Sequence, residues 1–213
     1  MTAAAHRNIV TALTLSRMPL IALFSVMAVV AEYLGGPWLP WVAGFFMGTS
    51  GLSDLFDGRL ARKWGVVSNF GKMADPLMDK VFFIVVFPTL LWVCAHQADG
   101  EVHALILLLF TILWILRDQW VTFLRSVASQ YGADVSAMWL GKVRTALSFP
   151  CAGFIYAYLS LHSTLPECCR LDVWGEYWLW SVYAVEGALI ALNAYSCWVY
   201  TRVYMPYLKR SIG

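Results

Sequence analysis

Apolar residues run along this chain in six long blocks, over about 9–34, 38–64, 70–96, 102–130, 136–162 and 173–204, separated by short polar or turn-forming segments. Most of the blocks exceed the roughly 20 residues that a helix needs to cross the hydrocarbon of a bilayer. The excess predicts helices that protrude into the interface on one side. The first block stops at Gly35-Gly36-Pro37, contains Arg17, and is too long for the apolar region of a cleavable signal, so it reads as the first membrane helix. The pattern predicts an all-α integral membrane protein of six transmembrane helices, forming one domain over residues 1–213.

Composition narrows the class. Hydrophobic residues make up 60% of the 213 and charged residues 13%, against roughly 25% charged in soluble domains. A soluble core is excluded. The net charge of +2 says little, but its distribution orients the chain. Arg7 and Arg17 flank the start of the first block. Arg59, Arg62, Lys63, Lys72 and Lys80 surround the link between the second and third. Arg125, Lys142 and Arg144 surround the link between the fourth and fifth, and Lys209 and Arg210 follow the sixth. The opposite loops hold Asp99, Glu101, Glu167 and Asp172, with Arg170 as the only base. By the positive-inside rule both termini are expected on the cytoplasmic side.

Trp38, Trp41, Trp174, Tyr177, Trp178 and Trp180 fall near the outer loops and read as an aromatic belt. His96, His103 and His162 also fall near the outer ends, where no metal role is expected. Cys94, Cys151, Cys168, Cys169 and Cys197 show no zinc spacing and read as structural. Cys168 and Cys169 are adjacent, a poor geometry for a bridge with each other.

One polar stretch, 53–80, breaks the apolar pattern with four carboxylates: Asp54, Asp57, Asp75 and Asp79. Asp54 lies roughly 24 Å into the second helix, near its cytoplasmic end. The i, i+3 spacing of Asp54 and Asp57 puts both on one face, as i, i+4 does for Asp75 and Asp79. Two antiparallel helices joined by a short turn can converge all four on one point. Oxygen-only ligands suit a hard cation, Mg2+ or Mn2+, and four acids could hold two. Such a pair can clamp a phosphoryl group while one acid activates the attacking hydroxyl. Gly58 and Ala61 beside the acids, and Gly71 on the facing helix, remove bulk so that a nucleotide can approach the backbone. Arg62 offers a planar fork to phosphate. The competing reading of the glycines is close helix packing alone, which does not explain four acids.

The array Asp54-x2-Asp57-Gly58-x2-Ala61-Arg62-x8-Gly71-x3-Asp75-x3-Asp79 resembles the signature of the CDP-alcohol phosphotransferases at all eight fixed positions. What the resemblance implies is a six-helix membrane enzyme, usually a homodimer, that displaces CMP from a CDP-linked lipid or alcohol. It implies a site at the cytoplasmic face of a bacterial inner membrane. It further implies that Asp54, Asp57 and Asp75 bind the metals and the diphosphate, and that Asp79 touches a metal and serves as general base.

More of the chain resembles one branch of that family, the phosphatidylglycerophosphate synthases. Asn8-Ile9-x-Thr11-x2-Thr14-x2-Arg17 is similar to its opening, with Val10 where a proline is common. Arg117-Asp118-x3-Thr122-x-Leu124-Arg125 is similar to its Arg-acid segment, with Asp118 for the usual Glu. Gly141-Lys142-Val143-Arg144-Thr145 is similar to its Gly-Lys-x-Lys-Thr segment, with Arg144 for Lys. The resemblance implies CDP-diacylglycerol and glycerol 3-phosphate as substrates, with Asn8 and Thr11 helping to hold the CDP moiety. The residues themselves point to an anionic acceptor. Arg117 and Arg125, eight apart, share a face of the fourth helix, and Lys142 and Arg144 open the fifth on the same side. Cations converging beside an acidic site suit a phosphate monoester, with Arg117, Thr122, Arg125, Lys142 and Arg144 as its expected pocket. The bland alternative for these cations is contact with lipid headgroups. Other acceptors (phosphatidylglycerol, inositol phosphate, serine) keep the chemistry. A divalent-cation transporter would place its acids nearer the bilayer midplane, and a membrane scaffold needs no charge cluster.

Overall fold

The computed structural model describes residues 2–97, 100–135, 138–164 and 172–212. Asp99, Glu167, Cys168, Cys169 and Arg170 of the expected outer loops lie outside the described residues, as do the side chains of Lys72, His162, Asp172 and Trp174. Among the described residues the regular structure is helical throughout: α1 Ala3–Leu34, α2 Leu39–Trp64, α3 Asn69–Ala95, α4 Glu101–Gln130, α5 Trp139–Thr164 and α6 Asp172–Ile212. Helix α1 lies mainly on α2 and α3, α4 on α3 and α6, and α5 on α6, α2 and α3. Among the described residues four helices are long and apolar enough to cross a membrane: α1, α3, α4 and the 177–212 part of α6. Helices α2 and α5 are less uniformly apolar. Small polar residues and the charges Asp54, Asp57, Arg59, Arg62 and Lys63 interrupt α2, and Lys142 and Arg144 sit in the first turns of α5.

The turn between α2 and α3 positions the acids. Gly65 ends α2 with φ +65, a left-handed conformation that costs an L side chain about 1–2 kcal/mol. Val66 N–H then reaches back to Ala61 O at 3.0 Å, closing the last turn. Three residues later Ser68 caps α3, its Oγ accepting from Gly71 N–H at 3.0 Å. The connection is therefore only a few residues long, and it brings the end of α2 beside the start of α3.

Beyond Asp79, α3 buries Phe82, Phe83, Val86, Phe87 and Leu90. Phe82 stacks on Phe149 of α5 with centroids 4.0 Å apart, and Phe83 meets Trp114 of α4 at 4.4 Å. This aromatic layer locks α3, α4 and α5 together one turn from the acids. Packing of this kind, with hydrogen bonds between helices, holds bundles together where lipid removes the usual hydrophobic drive. Toward the other end, His103 of α4 and Glu186 of α6, both buried, pair at 2.5 Å.

Candidate active site

Helix α1 ties down three of the four acids. Arg17, with 0% exposure, places Nη1 2.7 Å from Asp54 Oδ1 and Nη2 3.2 Å from Asp79 Oδ1. One turn earlier Thr14 donates from Oγ1 to Asp57 Oδ2 at 2.8 Å. Ser53 Oγ donates to Leu13 O at 2.9 Å and fixes α2 against the same stretch of α1. Asp54 and Asp79, from different helices, thus share one guanidinium.

Asp57 and Asp75 line a cavity of about 230 Å³ between α1, α2 and the start of α3. Gly58, Ala61, Arg62 and Gly71 line it as well, with Val10, Thr14, Val67 and Ser68. Spacings of three and four residues bring these positions to the facing sides of their helices. A Cβ on Gly58 would lie 3.8 Å from Arg62 Nη2 and one on Gly71 3.4 Å from Ser68 Oγ. Neither glycine is at a tight helix crossing; their lack of side chain widens the cavity. Asn8 is exposed and Thr11 half-buried, and neither lines this cavity; Thr14, one turn on, does.

A second cavity, of about 300 Å³, opens beside Asp79. One face of α4 supplies Trp114, Arg117, Asp118, Val121, Thr122 and Arg125, the i, i+3, i+4, i+7 pattern of a single helix side. Helix α5 adds Gly141, Arg144 and Thr145, α3 adds Pro76, Asp79, Lys80 and Phe83, and α6 adds Tyr200. Four cations therefore surround it against Asp79 and Asp118. Asp118 is shared, 3.1 Å from Lys80 Nζ and 3.8 Å from Arg144 Nη2. Arg125 also donates from Nε to Val135 O at 2.8 Å and from Nη2 to the same oxygen, which holds the α4–α5 connection. Lys142 is exposed and does not line the cavity.

The anionic donors of the acidic side are carboxylate oxygens, which suit a hard cation, with the guanidiniums of Arg17 and Arg62 beside them. Among the described residues no three His, Cys, Asp or Glu side chains stand grouped closely enough to hold an ion. Asp54 and Asp79 converge on Arg17, and Asp57 and Asp75 on the cavity. The four acids thus stand as two pairs on adjoining helix ends, with oxygen donors of the kind a hard cation takes.

Several residues at these sites have no assigned role in the sequence pattern. By sequence Arg17 belongs with the cytoplasmic positive charges, Thr14 is only part of a motif, and Lys80 and Asp118 point to no role at the site. Asn193, Ser196 and Tyr200 of α6 lie outside every motif, and their one signal in the sequence is the i, i+3, i+7 spacing of polar residues in an apolar helix.

The model of the CDP-alcohol phosphatidyltransferase family matches residues 7–194. The chain belongs to that family. Among its relatives is the CDP-diacylglycerol–glycerol-3-phosphate 3-phosphatidyltransferase of Mycoplasma genitalium, 33% identical over 138 residues, which are 65% of this chain and 53% of that protein. The enzymes of the same name from Salmonella typhimurium and Yersinia pseudotuberculosis are 34% and 35% identical over 140 residues, covering 65% of this chain and 70% of each. This phosphatidyltransferase-family chain thus spans about half the length of the Mycoplasma relative and more of the other two. The family match includes both cavities: every lining residue except Tyr200 falls inside it.

Proposed function

We propose that this CDP-alcohol phosphatidyltransferase moves the phosphatidyl group of CDP-diacylglycerol to sn-glycerol 3-phosphate, giving phosphatidylglycerophosphate and CMP. The observation that carries the reading is the position of Asp79. It is tied through Arg17 to the acidic site, and it also lines the cationic cavity beside Arg117, Arg125 and Arg144. A base at that boundary can serve an acceptor held on one side and a diphosphate held on the other. The names of the relatives point to the same pair of substrates.

Asp54, Asp57, Asp75 and Asp79 would hold Mg2+ or Mn2+, two ions in our reading, which supply positive charge to the diphosphate when bound. Gly58, Ala61, Arg62 and Gly71 form the walls against which the CDP moiety lies, and Thr14 orients Asp57. Asn8 and Thr11, near the mouth of α1, belong to the outer edge of that nucleotide site. Arg117, Thr122, Arg125 and Arg144 receive the acceptor phosphate; Lys142, at the surface, contributes attraction more than contact. Asp79 takes the proton of the acceptor hydroxyl. The hydroxyl oxygen bonds to the lipid-linked phosphorus, and the bond from that phosphorus to CMP breaks, its electron pair leaving with CMP. An apolar groove of about 570 Å³ between α4 and α6, walled by Leu113, Leu116, Trp120 and Trp198 with Arg117 beside them, supports a lateral opening toward the bilayer.

The same reading places all six helices across a bacterial inner membrane. Both termini and the site face the cytoplasm, and the enzyme works as a homodimer. The succession of six helices and the basic residues at one end support the membrane orientation, and the homodimer rests on the family resemblance.

Chelation tests the metal and the transfer together. Label from glycerol 3-phosphate should enter the lipid phase with Mg2+ or Mn2+ present, fall to background with EDTA, and return on re-addition. Undiminished transfer in EDTA would remove the acids from metal binding.

A further inference from the structure

Helix α6 carries Asn193, Ser196 and Tyr200 on one stripe, all three buried. Polar groups inside a membrane helix are expensive and mark function. Here each is directed at a cation of the cavity or at the helix that bears one. Asn193 Oδ1 accepts from Arg144 Nη1 at 3.1 Å, and Ser196 Oγ accepts from Arg117 Nη2 at 2.5 Å. The Tyr200 ring lies 4.9 Å under the Arg117 guanidinium, and its Oη accepts from Met138 N–H at 3.0 Å. A Cβ on Gly141 would come within 2.7 Å of that same oxygen, so the first turn of α5 is seated directly on Tyr200.

Every one of these partners is neutral. Carboxylates at 193 or 196 would hold the arginines equally well and cancel their charge. Asn193 and Ser196 fix their direction and leave the charge for a ligand. Arg117 and Arg144 are 6% and 4% exposed, and the Nε of each lacks a hydrogen-bond partner among the described residues. Buried donors of this kind call for an acceptor. The carboxylate beside Arg144, Asp118, is closer to Lys80.

We propose that Asn193, Ser196 and Tyr200 are positioning residues that hold Arg117 and Arg144 as a preorganised pair for a phosphate monoester. Helix α6 thereby sets the acceptor class. The inference rests on the function proposed above.

The test is the kinetics of Asn193→Asp and Ser196→Ala, with CDP-diacylglycerol and glycerol 3-phosphate varied in turn and inorganic phosphate as a competing anion. Asn193→Asp keeps an oxygen for Arg144 but adds a negative charge. Its KM for glycerol 3-phosphate should rise about tenfold or more, phosphate inhibition should weaken in step, and KM for CDP-diacylglycerol should stay within about twofold. Ser196→Ala, a smaller change that guards against misfolding, should raise the same KM about threefold. Equal shifts in both KM values, or no shift in either variant, would overturn the role of α6 while leaving the function intact. A wild-type protein that turns over CDP-diacylglycerol without using glycerol 3-phosphate would overturn both.

Discussion

Asp79→Asn should lower turnover by about 10²–10⁴-fold, the range for removing a general base, while CDP-diacylglycerol affinity stays within a few-fold. The substitution is nearly isosteric. Asn keeps an oxygen for the Arg17 Nη2 donor now 3.2 Å from Asp79 Oδ1, so the link between α1 and α3 survives. What is lost is the group that takes the acceptor proton, at the one position shared by the acidic site and the cationic cavity. Single-turnover CMP release measures the chemical step, and equilibrium binding of the labelled lipid measures the ground state. Near-normal turnover would remove Asp79 as base.

Arg17→Met should destabilise the protein. Removing one partner of a buried pair costs about 3–5 kcal/mol because the other charge is left behind. Asp54 and Asp79 retain 36% and 34% side-chain exposure, and water relieves part of that cost. About 2–3 kcal/mol remains, which for a chain of this size lowers Tm by roughly 5–10 °C. Arg17→Lys keeps the charge but cannot reach two carboxylates with a planar fork, so it should fall between wild type and Arg17→Met. Thermal unfolding in detergent decides the matter. An unchanged Tm in Arg17→Met would mean that the acids are held by other contacts.

The apolar blocks anticipated the helices closely, since each ends at a turn residue or a charge. α1, expected from 9, begins at Ala3, and α6, expected to 204, continues to Ile212. In both cases polar residues at a terminus continue a helix beyond its apolar part, which an apolar pattern does not register. The acids and the α4 face were legible because fixed spacing on one helix is visible in one dimension. Arg17 was not, because its importance comes from reaching two other helices. Asn193 and Ser196 were hidden for the same reason, and because α6 mixes small, aromatic and polar residues with little order. His103 reads only as a residue near an outer helix end, and its burial against Glu186, 83 positions away, is not visible there. Pairings between helices depend on rotation and depth, and neither follows from the order of residues within each helix.

The most direct measurement is CMP release by the purified protein from CDP-diacylglycerol and Mg2+ or Mn2+, with glycerol 3-phosphate, glycerol, phosphatidylglycerol, inositol phosphate and serine supplied one at a time. Release that requires glycerol 3-phosphate, and is negligible with glycerol, is the expected result: the cations around Arg117 and Arg144 then serve an acceptor phosphate. Release driven by glycerol, serine or phosphatidylglycerol in place of glycerol 3-phosphate would contradict it and leave those cations without their assigned ligand.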